Sequence, residues 1–127
     1  MGGRRTEPSE VHVLIVDDDD DLRRLIQVVL RSHGLSVTEA RDGVEALGLF
    51  APGRFDLILT DCEMPRMTGA ELTERIRLQA PEQRIGLITG HAENCVGVMD
   101  KVNFHLPKPF SLDELSRAVR RVLDLDV

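Results

Sequence analysis

The sequence predicts an α/β domain of five βα units wound around a parallel sheet, and three observations carry that prediction. From Val11 onward, short apolar runs alternate with longer stretches of helical period. The runs 11–16 and 55–60 are rich in β-branched and aliphatic residues and nearly continuous in apolar character, as strands covered on both faces require. The length of 127 residues is that of one domain able to bury a continuous core without disulfides or a structural metal.

Each element follows in order. Val11 to Val16 is the first strand, and Leu22, Leu25, Ile26, Val29 and Leu30 fall at helical spacing behind it, with His33-Gly34 as the stop signal. Leu35 to Glu39 is a short second strand. Asp42 opens a helix carrying Val44, Ala46, Leu47 and Phe50, which Pro52-Gly53 ends. Phe55 to Thr60 repeats the buried-strand pattern, and after a loop through Pro65 the Thr68/Glu71 pair forms a capping box for the third helix. Arg84 to Thr89 is the fourth strand, and Phe104-His105-Leu106 is a brief fifth. A second capping box, Ser111/Glu114, opens the last helix, whose apolar face is Leu112, Leu115, Val119, Val122 and Leu123. Between Gly90 and Asn103, Gly97 and the β-branched Val96, Val98 and Val102 make a poor helix, so the fourth helix is expected to be short or irregular. Residues 1–10 read as a disordered N-terminal segment and 11–125 as the domain, with no room for a second one.

Composition narrows the function. A hydrophobic share of 42%, a charged share of 30% and a net charge of −6 describe a soluble globular protein and disfavour direct nucleic-acid binding. The apolar runs are too short to cross a bilayer, which takes about 20 residues. The opening Met-Gly-Gly-Arg-Arg-Thr has the spacing of a myristoylation signal and contains an arginine pair, but the residues that follow are polar and give neither signal support. Cys62 and Cys95 lack Cys-x-x-Cys spacing, so they read as small buried hydrophobes in a reducing cytoplasm.

In an open parallel sheet, ligands bind beyond the carboxyl ends of the strands. Strand one ends in Asp17-Asp18-Asp19, strand three in Asp61, strand four in Thr89, and strand five runs into Lys108. Clustered carboxylates raise one another's pKa unless a cation compensates them. Hard oxygen ligands with no thiolate or paired imidazole suit magnesium. With that ion present, Asp61 can be a nucleophile toward phosphorus, Lys108 can neutralise charge on the phosphoryl oxygens, and the Thr89 hydroxyl can donate to one of them. Asp20 and Asp21 read as a solvated helix start, favourable near any helix N-terminus.

The same residues carry a family resemblance. Val16-Asp17-Asp18, Asp61-x-x-Met64-Pro65-x-Met67-x-Gly69, Thr89 and Lys108-Pro109-Phe110 resemble the receiver domain of two-component signalling, from about Val11 to Leu123. The resemblance implies a flavodoxin-like sheet of order 2-1-3-4-5. It implies Asp61 as phosphoacceptor, Asp18 as a direct magnesium ligand with Asp17 as its acidic neighbour, Glu63 offering its backbone carbonyl to the metal, Thr89 as switch hydroxyl, and Lys108 as phosphoryl contact before a peptide bond often held cis. It further implies a sensor histidine kinase or histidine phosphotransfer protein as donor, a downstream protein as target, and a monomer or a weak phosphorylation-dependent dimer.

Three departures stand out. The aromatic switch position, three before Lys108, holds His105, a polar and titratable ring. The span from Thr89 to Lys108 is short and lacks the family's usual Gly-Ala before strand five. Gly90 stands in place of a more usual alanine, which should leave the phosphoryl group more open. His12, His33 and His91 show no metal spacing and read as structural or exposed, with His91 near the water path.

Two other functions compete with a receiver acting through protein contacts. The short fourth-helix region is similar to receivers fused after hybrid kinases, which suggests a relay passing phosphate from Asp61 to a phosphotransfer protein. A magnesium phosphohydrolase with an Asp nucleophile is the alternative of another class, but it would need a further acid or base and a cap insertion, which Cys62-Glu63-Met64-Pro65 does not supply.

Overall fold

The computed structural model describes residues 11–125, and the expected disordered segment 1–10 lies outside the described residues. Five parallel strands, β1 (His12–Val16), β2 (Ser36–Ala40), β3 (Leu57–Asp61), β4 (Ile85–Thr89) and β5 (Phe104–Pro107), pair in the order 2-1-3-4-5. Helices α1 (Asp20–Ser32), α2 (Gly43–Leu49), α3 (Gly69–Gln79) and α4 (Leu112–Val122) connect and cover them. The fourth connection is a 3₁₀ helix, Ala92–Lys101. Its irregularity agrees with the weak helix propensity of Val96, Gly97, Val98 and Val102.

Strand period two divides the core between the two faces of the sheet. Val13, Ile15, Leu57 and Leu59 pack with Ile26, Leu30, Leu115 and Val119 under α1 and α4. Leu14, Val16 and Ile58 face the other way, onto Ala46, Leu72 and Ile76 of α2 and α3. A third cluster, Cys62, Leu87, Cys95 and Val98, lies beneath the 3₁₀ segment.

The helix starts follow their capping residues. Asp19 accepts the N–H groups of Asp21 and Leu22 at α1, and Asp42 accepts that of Glu45 at α2. Both capping boxes form, Thr68/Glu71 at α3 and Ser111/Glu114 at α4. Asp20 and Asp21 sit exposed in the first turn of α1. Parallel pairing aligns every strand in one direction, so the ends of β1, β3, β4 and β5 come out along a single edge of the sheet.

The cysteine expectation needs correction. Both side chains are buried as expected, at 1% exposure each, but they are not separate. Their Sγ atoms are in bonding contact, with Cα atoms 6.3 Å apart and a sequence separation of 33. Pairing of this kind depends on where β3 and the 3₁₀ segment meet, which no local spacing announces.

Candidate functional site

Asp17 follows the last residue of β1 and is fully buried, because β1 lies centrally between β2 and β3. Its Oδ1 accepts the Asp19 N–H at 2.9 Å, while its Oδ2 is buried with no hydrogen-bond partner. Asp61 closes β3 at 4% exposure. Carboxylate oxygens of Asp17, Asp18 and Asp61 lie within 4.8 Å of one another, with Asp18 the exposed member. Burial pushes the Asp17 carboxyl up to about 6, opposed by the Asp19 N–H and reinforced by the charge of Asp61. Burial also raises Asp61, against the pull of Lys108.

Lys108 brings the balancing charge from the far side of the edge, its Nζ 3.5 Å from Asp61 Oδ2. Its backbone N–H donates to the Thr89 carbonyl at 2.7 Å, which ties the ends of β4 and β5 together. The Lys108–Pro109 bond is cis. Thr89 is buried at the end of β4. The Glu63 N–H reaches Asp61 Oδ1 at 3.4 Å, at the long end for a hydrogen bond.

The loop after Asp61 is shaped by the residues of the Met-Pro-x-Met-x-Gly stretch. Met64 and Met67 are buried among the α2 and α3 side chains and anchor the loop. Arg66 takes a left-handed φ of 69° between them and pairs with Asp42 Oδ2 at 2.8 Å. Gly69 donates its N–H to the Cys62 carbonyl at 2.8 Å. A Cβ at 69 would stand 2.2 Å from the Asp61 carbonyl oxygen, so only glycine lets the start of α3 approach the acceptor strand this closely.

A buried, partnerless carboxylate oxygen beside two further carboxylates is a donor set that a hard divalent cation satisfies. Acidic cleft, nearby lysine and buried hydroxyl thus stand together at the carboxyl edge of a 2-1-3-4-5 sheet. Residues 13–120 match the family model described as the response regulator receiver domain. The chain belongs to that family.

Other comparisons agree. The receiver chain is 37% identical over 116 residues to the response regulator MprA of a Mycobacterium species (strain KMS), and 36% identical to that of Mycobacterium tuberculosis (strain H37Rv). These alignments take in 89% of this chain and 50% of each relative, so the chain spans about half the length of those relatives. Among solved structures it is similar to response regulator TrrA of Thermotoga maritima, in complex with Mg(2+)-BeF, at TM-score 0.82 and 31% identity, over 89% of this chain and 99% of that one. It is also similar to the receiver domain of a sensor histidine kinase from Pseudomonas aeruginosa, with magnesium coordinated in its active-site cleft. That match has TM-score 0.79 and 33% identity, over 90% of this chain and 98% of that one.

The departures from the receiver pattern have definite places. His105 is exposed on β5, at the register position of Leu87. A Cβ on Gly90 would lie 3.5 Å from Glu63 Oε1 and 3.9 Å from Lys108 Cδ, in ordinary contact, so glycine leaves a gap between those side chains rather than relieving a clash. His91 is exposed beside it, and His33 meets Ser116 Oγ at 2.8 Å across α1 and α4.

One contributor is only partly legible in the sequence. Arg23, nearly buried on α1, donates from Nη1 to the Asp17 carbonyl at 2.9 Å and from Nε to Glu39 Oε1 at 2.9 Å, and its Nη2 lies 2.7 Å from Asp20 Oδ1. It holds the backbone of the acidic cluster from behind. The i,i+3 Asp20/Arg23 pair is visible in the sequence, but the contact with Glu39 requires β2 beside β1.

Proposed function

We propose that this receiver domain accepts a phosphoryl group on Asp61 from a sensor histidine kinase or a histidine phosphotransfer protein, in a magnesium-dependent reaction, and signals through protein contacts. The observation that carries the reading is the Asp61 carboxylate set between Lys108 Nζ at 3.5 Å and the orphaned Asp17 oxygen. Asp17, Asp18 and Asp61, with the Glu63 carbonyl, would hold the ion, which when bound supplies charge neutralisation for the phosphoryl oxygens. An Asp61 oxygen attacks phosphorus as the bond to the donor imidazole nitrogen breaks; that nitrogen keeps the electron pair and takes a proton. Lys108 offsets the charge on the oxygens, and the Thr89 hydroxyl donates to one of them.

Thr89, once drawn toward the phosphoryl group, vacates space that the ring of His105 can enter, which makes His105 the switch residue of this reading. The net charge of −6 favours a protein target over nucleic acid, in the cytoplasm, with the domain a monomer or a weak dimer formed on phosphorylation. A relay role, returning phosphate from Asp61 to a phosphotransfer protein, draws support from the likeness to a receiver of a sensor kinase.

The test is labelling with acetyl phosphate, read by intact mass. Label is expected with magnesium, absent in excess chelator, and absent in Asp61→Asn. A variant that labels as well as the parent removes Asp61 as acceptor.

A further inference from the structure

The cysteine pair joins two parts of the domain that the switch reading needs to move relative to one another. Cys62 follows Asp61 directly, and its backbone is fixed: its N–H donates to the Ile88 carbonyl at 2.8 Å and its carbonyl accepts from Gly69 at 2.8 Å. Cys95 lies in the 3₁₀ segment that leads away from Thr89. That segment runs over Ala92–Lys101, and 3₁₀ runs longer than three or four residues are uncommon because their hydrogen-bond geometry is poor. Among the described residues, the buried members of its cluster besides the cysteines are Leu87 and Val98. One end of the pair is therefore rigid and adjacent to the acidic cleft, and the other is on the least regular element of the fold.

The Cα separation of 6.3 Å is within the range that a disulfide spans, so oxidation and reduction need no rearrangement of the backbone. In a compartment that keeps thiols reduced, a disulfide is transient and tied to redox state rather than permanent. We propose that Cys62 and Cys95 are a reversible thiol–disulfide modification site, and that the oxidised form clamps the 3₁₀ segment to the loop carrying Asp61. The second half rests on the function proposed above.

The reaction balances through exchange with a small disulfide such as oxidised glutathione. One cysteine sulfur attacks, the first glutathione leaves as thiol with that cysteine's proton, and a mixed disulfide remains. The second cysteine sulfur then displaces the second glutathione, which leaves with the second proton. Two protein thiols become one disulfide, and one glutathione disulfide becomes two thiols.

The experiment uses the whole chain equilibrated in glutathione redox mixtures, quenched in acid, denatured and tagged with a maleimide. Intact mass should show only untagged and doubly tagged protein, their ratio following the mixture. Cys62→Ser and Cys95→Ser should each retain one glutathione instead. Two free thiols at every mixture, or a stable glutathione adduct on the parent, overturns the site. Hydrogen exchange across 92–101 should be at least tenfold slower in the oxidised form, and beryllofluoride with magnesium should change it in the reduced form alone. Acetyl phosphate labelling of the same samples separates the two readings. Label in both forms with equal exchange overturns the clamp alone. Absence of label in both overturns the acceptor assignment and the coupling with it, while the mass data still decide the thiol pair.

Discussion

The β1–β3 edge and the β4–β5 flank are built from the same βα unit and held in different ways. On the first, Arg23 is nearly buried and clasps the Asp17 carbonyl with carboxylates of Asp20 and Glu39 around it. On the second, Arg77 is half-exposed and clasps carbonyls alone: Lys101 from Nε at 2.9 Å and Nη2 at 2.7 Å, Pro81 from Nη1 at 3.2 Å, and Gln83. Charge, burial and a capped helix make the acidic edge a fixed scaffold for chemistry. The flank has an irregular helix, an exposed His105 and an exposed Val96, features of lower local stability than the acidic edge. The difference teaches that one parallel sheet can be held by a buried charged clasp at the carboxyl end of one strand and by a more exposed clasp on carbonyls at the amino ends of others.

The largest test of that contrast removes each clasp. Arg23→Leu leaves the buried Asp17 carbonyl and the half-buried Glu39 carboxylate without their partner and should cost roughly 2 to 3 kcal/mol. Arg77→Leu loses hydrogen bonds to carbonyls near water and should cost about 1 to 2 kcal/mol, with faster hydrogen exchange at 92–101. Urea unfolding of both variants measures it, and equal costs would erase the distinction.

A second test titrates the acidic edge. The folded pKa of Asp17, about 6, lies above its ordinary value of 3.8, and Asp61 is raised too, so the metal-free folded protein binds protons more readily than the unfolded chain between about pH 4 and 6. Stability from these groups is greatest below that window and falls as pH rises through about 6, by roughly 1 to 3 kcal/mol. Asp20, Asp42 and Glu114 are lowered by their hydrogen bonds and act in the opposite sense, losing stability only as pH falls through the acid range. Magnesium should therefore raise the melting temperature more at pH 7.5 than at pH 4.5. A response independent of pH would mean that the ion does not compete with the Asp17 proton.

The smallest expected effect sharpens the boundary between the two regions. Gly90→Ala would put a methyl group into the gap between Glu63 and Lys108 without a clash. Decay of the labelled protein should slow about two- to fivefold, under 1 kcal/mol of barrier. Unchanged decay would show that the gap is not the path by which water enters.

Much of this was legible in the residues. Alternating apolar runs marked all five strands to within one or two positions, and Asp42, Thr68/Glu71 and Ser111/Glu114 announced three helix starts, because strand period and capping chemistry are local. The valines and Gly97 foretold the irregular fourth helix for the same reason. Asp17, Asp18, Asp61, Thr89 and Lys108 were readable as strand-end residues of a parallel sheet. Other features depend on elements distant in the chain: the orphaned Asp17 oxygen, the Arg23 clasp through β2, the approach of Gly69 to the Asp61 carbonyl, and the meeting of Cys62 with Cys95. Local propensity and motif order come from neighbours in sequence, whereas burial, electrostatic environment and sulfur pairing come from neighbours in space, and only tertiary packing brings those together.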